Sequence, residues 1–404
     1  MKIALFTDTW HPQVNGVVSY LDSVLPHIAK GNEVILFAPG DCKRIESVRG
    51  RDGVRTYWIP ASPFPYYEGY RMSGMYAYEL SKILKRENPD VVHAHAPVLL
   101  GLQGLLAARR RGIPVVATYH THFPDYLPYL LDGKFPGFVR LLGRTTVRGL
   151  IRFVFSLTER TIAPTSELAG ELKAYGVKNV IVIPNGIDLG RLKATDAQKA
   201  VFRKKYRIPE GRKVILYVGR LGFEKRLDVL LAALPRLKSG NWFMVVVGSG
   251  PQQEGYLREA EALGLARNAR FTGLVTGEEL CAAYACAEVF VSPSDSETFG
   301  LTFIEAMSFG IPAVGVDKLG PREIIRNGVN GFLVKPGDSA AMAKKIDLLL
   351  SDQKLRERLG AKAKATARKF SIEKSAEITL MLYREVVGGK TKKHGWERFI
   401  PAIK

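Results

Sequence analysis

The sequence predicts an α/β fold of two doubly wound, parallel-sheet domains facing a cleft, and three observations carry that reading. Short runs rich in valine and isoleucine alternate with helical patterns along the 404 residues, as strands buried on both faces require. The two halves open alike: "MKIALFTDTWHPQVNGVVSYLDSVL" and "RKVILYVGRLGFEKRLDVLLAAL" each read as a strand, a glycine-containing loop and a helix. The length suits two cores of roughly 200 residues better than one.

In chain order, the first half supplies "KIALFT", "EVILFA", "DVVHA" and "PVVATYH", with weaker strands at "TIAP" and "VIVIP". A polar, charged stretch, "LGRLKATDAQKAVFRKKYRIPEGRK", then places the junction near residues 190 to 211. The second half supplies "KVILYVG", "WFMVVVG", "EVFVSP" and "IPAVGV". The expected domains are residues 1–190 and 191–370, and the pattern is helical again from about Ser371. Two such sheets facing each other make a cleft lined by the carboxyl ends of their strands, where ligands bind in open α/β folds. No period of 20 to 50 residues repeats.

Composition narrows the function. Lys plus Arg outnumber Asp plus Glu by 59 to 39, for a net charge of +20. That field favours nucleic acid, an acidic membrane or phosphorylated small molecules. The chain shows no recognition-helix pattern or aromatic stacking motif, so no specific nucleic-acid partner is expected. Cys42, Cys281 and Cys286 form no C-x-x-C pair, which indicates neither a disulfide framework nor a zinc site. The N-terminus lacks the apolar region of a signal peptide, and no stretch approaches the ~20 apolar residues of a bilayer span. The expected location is cytoplasmic. No strand leads into G-x-G-x-x-G, since the third glycine of "VGSGPQQEG" is misplaced, and this argues against a dinucleotide-dependent oxidoreductase. The late "GGKT" has Arg384 where a phosphate loop needs its first glycine.

The densest chemistry lies in "SDSETFGLTFIEAMSFG", Ser294 to Gly310. "EVFVSP" reads as a buried strand, "SDSE" as a polar loop and "GLTFIEAMSFG" as a helix. The backbone N–H groups of Phe299, Gly300, Leu301 and Thr302 then lie at a helix N-terminus, an anion site. Glu297 precedes it and Glu305 lies about one turn into the helix, so both carboxylates reach hydroxyls on opposite sides of a bound phosphate. The plain alternative makes Glu297 a loop acid and Glu305 the partner of a helix-face base. In "GRLGFEKRLD", Arg220 and Lys225 follow a strand at the same carboxyl edge, and a tight loop at Gly222 turns both toward the phosphate. Two cations and a helix N-terminus hold a diphosphate without metal. An ordinary basic loop is the alternative. No D-x-D occurs in the chain.

With these motifs, nearly the whole chain resembles the family 4 retaining glycosyltransferases of the GT-B fold, which pair two Rossmann-like domains. The marks are the E-x7-E pair Glu297 and Glu305, "GRLGFEK", "VIPNGID", "VVGSGP" and "FTDTWHPQVNGV". The likeness is strongest to diacylglycerol and related lipid glycosyltransferases, with mannosyltransferases close behind. It implies that Glu297 binds donor-sugar hydroxyls, the amides of Phe299 to Thr302 the diphosphate, and Glu305 the ribose. Arg220 and Lys225 would stabilise the leaving diphosphate. Gly16 would let backbone approach the donor and acceptor where a side chain would obstruct, although Asn15-Gly16 is also a common turn pair. His120, the first histidine after "PVVAT", would point at the donor sugar and act with Glu297, Arg220 and Lys225 in catalysis. Asp125 is the acceptor-side acid, and backbone near Leu274 would select the base. Residues 371–404 would cross back as a helix onto the first domain.

The resemblance implies a nucleotide-sugar co-substrate, UDP- or GDP-linked, and no cofactor. The pairs His93-x-His95 and His120-x-His122 would each share a strand face, yet no carboxylate or cysteine completes a metal set, and no metal is expected. Retaining hydrolases use two facing carboxylates. The resemblance supplies no side-chain nucleophile here, which implies same-face substitution with the leaving diphosphate as base.

The acceptor is read from "KFPGFVRLLGRTTVRGLIRFVFSL", Lys134 to Leu157, with five basic residues and no acid. Arg140, Arg144, Arg148 and Arg152 form one helical stripe, while Phe138, Leu141, Leu142, Leu150, Ile151, Val154 and Phe155 supply apolar surface. A basic amphipathic helix suits an anionic membrane, and a core helix with a solvated arginine edge is the alternative. "ASPFPYYEGYRM" adds aromatics toward the acceptor side or forms a packed loop. The expectation is hexosyl transfer from a UDP-sugar, for instance UDP-glucose, to a lipid hydroxyl, by a protein held peripherally at the inner face of the cell membrane. A GDP-mannose-dependent α-mannosyltransferase and a sugar-nucleotide epimerase are the competing readings.

Overall fold

The computed structural model describes residues 1–50, 53–64, 70–122 and 137–389, and over 137–144 the backbone alone. Two compact units emerge: Met1–Gly186 joined by the segment from Ile372, and Ile187–Ser371.

The first unit begins β1 (Lys2–Thr7), α1 (Gly16–Ala29), β2 (Glu33–Gly40), β3 (Glu46–Arg49), β4 (Arg55–Pro63), β5 (Arg71–Ser73) and α2 (Ala77–Glu87). It continues with β6 (Val91–His95), α3 (Leu100–Arg109), β7 (Val115–Thr118), α4 (Gly137–Ser156), β8 (Arg160–Ala163), α5 (Ser166–Ala174) and β9 (Val180–Val182). Its strands lie in the order β3-β4-β2-β1-β6-β7-β8-β9, with β5 beside β4. All pairings are parallel except β3 with β4 and β4 with β5. Strand order reverses about β1, which lies between β2 and β6.

The second unit runs α6 (Asp196–Lys205), β10 (Lys213–Val218), α7 (Leu227–Ala233), β11 (Trp242–Val247), α8 (Gln253–Ala262), β12 (Ala269–Gly273) and α9 (Gly277–Ala285). It ends with β13 (Ala287–Val291), α10 (Leu301–Ser308), β14 (Ala313–Val316), α11 (Leu319–Ile324), β15 (Gly331–Val334), α12 (Ser339–Ser351) and α13 (Gln353–Ala367). Its parallel sheet is ordered β12-β11-β10-β13-β14-β15, and here the reversal falls at β10. The chain then returns to the first unit as α14 (Ile372–Val387).

The apolar runs form the central strands for the expected reason: every residue of "WFMVVV" in β11 and "VVHAH" in β6 is buried. The strands missing from the sequence reading are peripheral. β3 is exposed throughout, β4 carries two prolines, and β12 and β15 edge the second sheet. Strands with one open side need no continuous apolar run. The polar stretch after residue 190 is structured. Thr195 and Gln198 form a reciprocal capping box, α6 follows, and Phe202 is buried in the core of the second unit. α10 spans eight residues and places Glu305 at its fifth.

Candidate active site

In the second unit the site begins where strand order reverses. β10 and β13 are adjacent and parallel, so the loops that leave their carboxyl ends, residues 219–226 and 292–300, are neighbours. Lys225 Nζ donates to Glu297 Oε1 at 2.6 Å, with the two side chains only 17% and 20% exposed. Ser296 Oγ donates to the Glu224 carbonyl at 2.9 Å and ties the loops a second time. Arg220 is turned to Glu224, with its guanidinium 3.2 Å from Oε1. The sheet therefore brings Lys225 to Glu297 directly, while Arg220 pairs with Glu224, an acid that sequence reasoning did not single out.

Phe299 and Gly300 are buried, and Leu301 and Thr302 open α10. The residue before α10 is Gly300, with φ +92, and it supplies no side-chain cap. Two glycines shape it through close packing. The Gly320 N–H donates to the Glu297 carbonyl at 2.9 Å, and a Cβ there would lie 2.1 Å from the Phe299 carbonyl oxygen. Gly248 of "VVGSGP" has φ +137, and its Cβ would lie 1.9 Å from the Gly219 carbonyl oxygen. Only glycine lets that loop lie against "GRLGFEK". The Gly219 N–H bonds the Val247 carbonyl and the Gly248 N–H the Gly273 carbonyl. The chain of contacts leads to Leu274, 56% exposed just past β12. Glu305 accepts from Tyr284 Oη at 2.6 Å. Desolvation pushes its carboxyl above the usual range, opposed by that hydrogen bond.

In the first unit, Asp8 lies just past β1 and is buried. Its carboxylate accepts the N–H groups of Val98, Leu99, Leu100 and Gly101 at 2.7 to 2.9 Å, anchoring the start of α3 to β1. Burial raises this carboxyl and the four amides oppose it. Asn15 caps α1, its side chain accepting from Val17 and Val18, so Asn15-Gly16 is a helix start with Gly16 exposed at the first helical position. His120 is buried just past β7, and its Nε2 lies 3.0 Å from His95 Nδ1. His93 bonds Thr118 Oγ1 at 2.8 Å and the Tyr383 hydroxyl at 2.5 Å. Burial lowers His93 and His120 to about 3 and His95 well below its ordinary value.

Two expectations need correction. His93 and His95 share a face, with ring centroids 4.0 Å apart, but His120 and His122 do not pair off together. β7 stops at Thr118, and His122 turns instead to Glu171 at 3.0 Å. The apolar residues of α4 whose side chains are described also do not form one surface. Ile151, Val154 and Phe155 are buried, and Phe155 meets Tyr119 edge-on, while Leu150 and Phe153 are 55% and 51% exposed. The Arg148 guanidinium lies over the Tyr175 ring at 5.3 Å, and Arg152 packs against Gly176 at the end of α5. Asp125 and the side chains of Phe138, Arg140, Leu141, Leu142 and Arg144 lie outside the described residues. No group of three or more His, Cys, Asp or Glu among the described residues could hold a metal ion.

Residues 14–191 match the family described as Glycosyltransferase Family 4, and residues 198–366 match Glycosyl transferases group 1. A GDP-mannose-dependent alpha-mannosyltransferase of Mycobacterium tuberculosis is 33% identical over 84% of this chain and 85% of its own. The chain belongs to the family 4 glycosyltransferases. Another relative, the alpha-monoglucosyldiacylglycerol synthase of Streptococcus pneumoniae, is 31% identical over 78% of this chain and 70% of its own. The fold of this glycosyltransferase is GT-B. Sucrose-phosphate synthase from Thermosynechococcus elongatus superposes with a TM-score of 0.79 over 96% of this chain and 100% of its own, at 20% identity.

The glycosyltransferase motifs were visible in sequence, but Glu224, Tyr284, Gly320 and His95 were not assigned site roles. His95 had a signal in its strand alternation with His93. Gly320 had none, because it acts on Phe299 and Glu297 across the packed loops, and the i,i+4 spacing of Arg220 and Glu224 allowed their contact without requiring it.

Proposed function

We propose that this enzyme transfers a hexosyl group, with retention of configuration, from a nucleoside diphosphate hexose to a hydroxyl of a membrane lipid. The observation that carries the reading is the Lys225–Glu297 pair joining the loop after β10 to the loop that opens α10, with Arg220 paired to Glu224 in the first of these loops. A diphosphate satisfies the amides of Phe299 to Thr302 and the helix dipole, and it competes for Lys225. Glu297 is then released to sugar hydroxyls, while Glu305, oriented by Tyr284, receives a ribose hydroxyl. In the transfer step the C1–O bond to the diphosphate breaks and the bond from the acceptor oxygen to C1 forms on the same face. The acceptor's proton passes to a diphosphate oxygen. Arg220 and Lys225 stabilise the charge that develops on the leaving group. In this reading acceptor binding, and the role of His120, belong to the first unit.

Support for a lipid comes from α4, where exposed Leu150 and Phe153 stand beside Arg148 and Arg152, and from the relative named for monoglucosyldiacylglycerol synthesis. No helix among the described residues is long and apolar enough to cross a membrane; the contact proposed through α4 is peripheral, at the inner face. A second reading, mannosyl transfer from GDP-mannose, is favoured by the Mycobacterium tuberculosis relative. Nothing in the site favours an epimerase.

The test is nucleotide release from a panel of UDP- and GDP-hexoses with and without diacylglycerol lipids, with the product's anomeric configuration read by NMR. Lipid-dependent release from one donor, giving the donor's own configuration, is expected. Release without lipid would discard the lipid acceptor, and inverted product would discard retention.

A further inference from the structure

We infer that Tyr256, on the helix after "VVGSGP", is a positioning residue whose hydroxyl spans the turn that carries Lys225 and fixes where the Lys225 ammonium stands. The functional half of this rests on the proposed role of Lys225 at the leaving diphosphate; the bracing of the turn rests on geometry alone.

The loop after β10 is held by its carbonyls. Tyr217 Oη donates to the Arg220 carbonyl at 3.0 Å, Tyr256 Oη to the Gly222 carbonyl at 3.1 Å, and Ser296 Oγ to the Glu224 carbonyl at 2.9 Å. Between the first two, the Leu221 carbonyl takes the Gln252 N–H at 2.9 Å. The three hydroxyls come from β10, from α8 and from the loop after β13, so no single element sets the course of the loop. Tyr256 is the fourth residue of α8 and lies 34 residues from Gly222 along the chain. Gly250 permits that approach, since a Cβ there would lie 2.5 Å from the Leu221 carbonyl oxygen.

Lys225 sits inside a tight turn. Phe223–Lys225 make a single 3-10 turn, with the Lys225 N–H returning to the Gly222 carbonyl at 3.1 Å. Arg226 then takes a left-handed φ of +52, and α7 starts at Leu227. A residue other than glycine keeps such backbone only where its surroundings hold it. The Arg226 guanidinium is turned to Asp228 and supplies no cap to α7, whose first N–H groups have no partner within the helix. Tyr256 meets the first of them: the hydroxyl that donates to Gly222 also takes a backbone hydrogen bond from Leu227. A phenol can donate and accept at once, so one hydroxyl closes the turn from Gly222 to Leu227 across Lys225.

The Tyr256 ring is buried in the core of the second unit, which fixes the hydroxyl in space. Burial, followed by the charge of Asp228, pushes that hydroxyl up to about 12, so it stays a donor at neutral pH. The Lys225 ammonium reaches Glu297 Oε1 at 2.6 Å. A lysine stem is flexible and could follow a carboxylate from several backbone positions. A departing diphosphate is more demanding, because a misplacement of about 1 Å at a reacting centre costs about 10²-fold in rate. Bracing the turn at both ends removes that freedom from the backbone beneath Lys225, and neither Tyr256 nor its hydroxyl need touch substrate to do so.

The test compares full-length Tyr256→Phe, Lys225→Ala and the double variant. Phenylalanine keeps the buried ring, and the Gly222 carbonyl keeps the Lys225 N–H, so Tyr256→Phe should fold. Amide hydrogen exchange on peptides covering residues 219–227 should quicken several-fold in that variant, with β10 and β11 unchanged. Exchange at the original rate would overturn the bracing whatever the activity. Kinetics supply the second arm. Tyr256→Phe should lower kcat for nucleotide release roughly 10-fold, more than it changes donor KM, as part of the roughly 10²-fold carried by the charge it places. In the Lys225→Ala background the same substitution should lower kcat hardly further, because the group it positions is gone. Equal losses in both backgrounds would make Tyr256 a packing residue and overturn the inference while leaving Lys225 in the mechanism. Full activity in Lys225→Ala would discard the leaving-group role and the positioning role together, without altering the exchange result.

Discussion

Gly320→Ala tests whether the start of α10 is the phosphate site. The added Cβ would lie 2.1 Å from the Phe299 carbonyl oxygen and 2.4 Å from its carbon, where real Cβ atoms keep at least 3.0 Å. The obstacle is backbone, so the strand of chain from Glu297 to Thr302 or the turn at Gly320 must move by about 0.9 Å, the difference between 3.0 and 2.1 Å. The bond from the Gly320 N–H to the Glu297 carbonyl is lost in the same movement. Overpacking of this kind costs about 1–3 kcal/mol, which a fold of ordinary stability survives. A misplacement of about 1 Å at a reacting centre costs about 10²-fold in rate, or roughly 2.7 kcal/mol. The assay is kcat/KM for nucleotide release with the preferred donor, alongside urea unfolding. Gly170→Ala serves as control, since a Cβ there meets nothing within 4 Å. A folded Gly320→Ala enzyme that kept its donor kcat/KM would refute the reasoning, because the diphosphate could not then depend on these amides.

Lys225→Ala should lower kcat roughly 10²-fold or more through loss of leaving-group stabilisation, with Arg220→Ala behaving alike; unchanged single-turnover rates would remove both from the mechanism. Tyr284→Phe leaves the raised carboxyl of Glu305 without its 2.6 Å donor; a loss of about 1–3 kcal/mol in urea unfolding is expected, and none at all would mean that the bond is idle. The buried histidines predict acid sensitivity. His93 and His120 titrate near 3 when folded against 6.5 ordinarily, so between those values the unfolded chain binds protons that the folded chain does not. Their contribution is complete above pH 6.5 and falls as pH drops, by up to about 1.4 kcal/mol per unit for each; flat stability from pH 6.5 to 5 would show that they are not held neutral. Replacing Leu150 and Phe153 with serine should weaken sedimentation with anionic vesicles at low salt while leaving stability nearly unchanged, and equal sedimentation would move the membrane contact elsewhere.

The second-unit loops show how sequence and tertiary structure divide the work. "KVILYV" and "AEVFV" declare themselves as buried parallel strands by composition, and the motif glutamates follow at a fixed distance from the second. That Lys225 meets Glu297, 72 residues away, depends on β10 and β13 being neighbours, which no local pattern states. The contact of Arg220 with Glu224 is local, at i,i+4 spacing, but that spacing equally allowed Arg220 to turn away, so only the structure decided it. The edge strands β3, β12 and β15 escaped detection because a strand with one open side carries a weaker apolar signal. α6 escaped because its charges outnumber its single buried aromatic, Phe202.

By itself the sequence determined the alternation of strand and helix, its division into two similar halves, and the places along the chain of the amides and carboxylates proposed for donor binding, because each is written in residues close together along the chain. Only the tertiary structure decided that His95 faces His120, that Gly320 backs the Phe299 carbonyl, and that one side of α4 is core while Leu150 and Phe153 are exposed. Those facts follow from which strands lie side by side and how closely their loops pack. They belong to pairs of residues that local periodicity cannot connect.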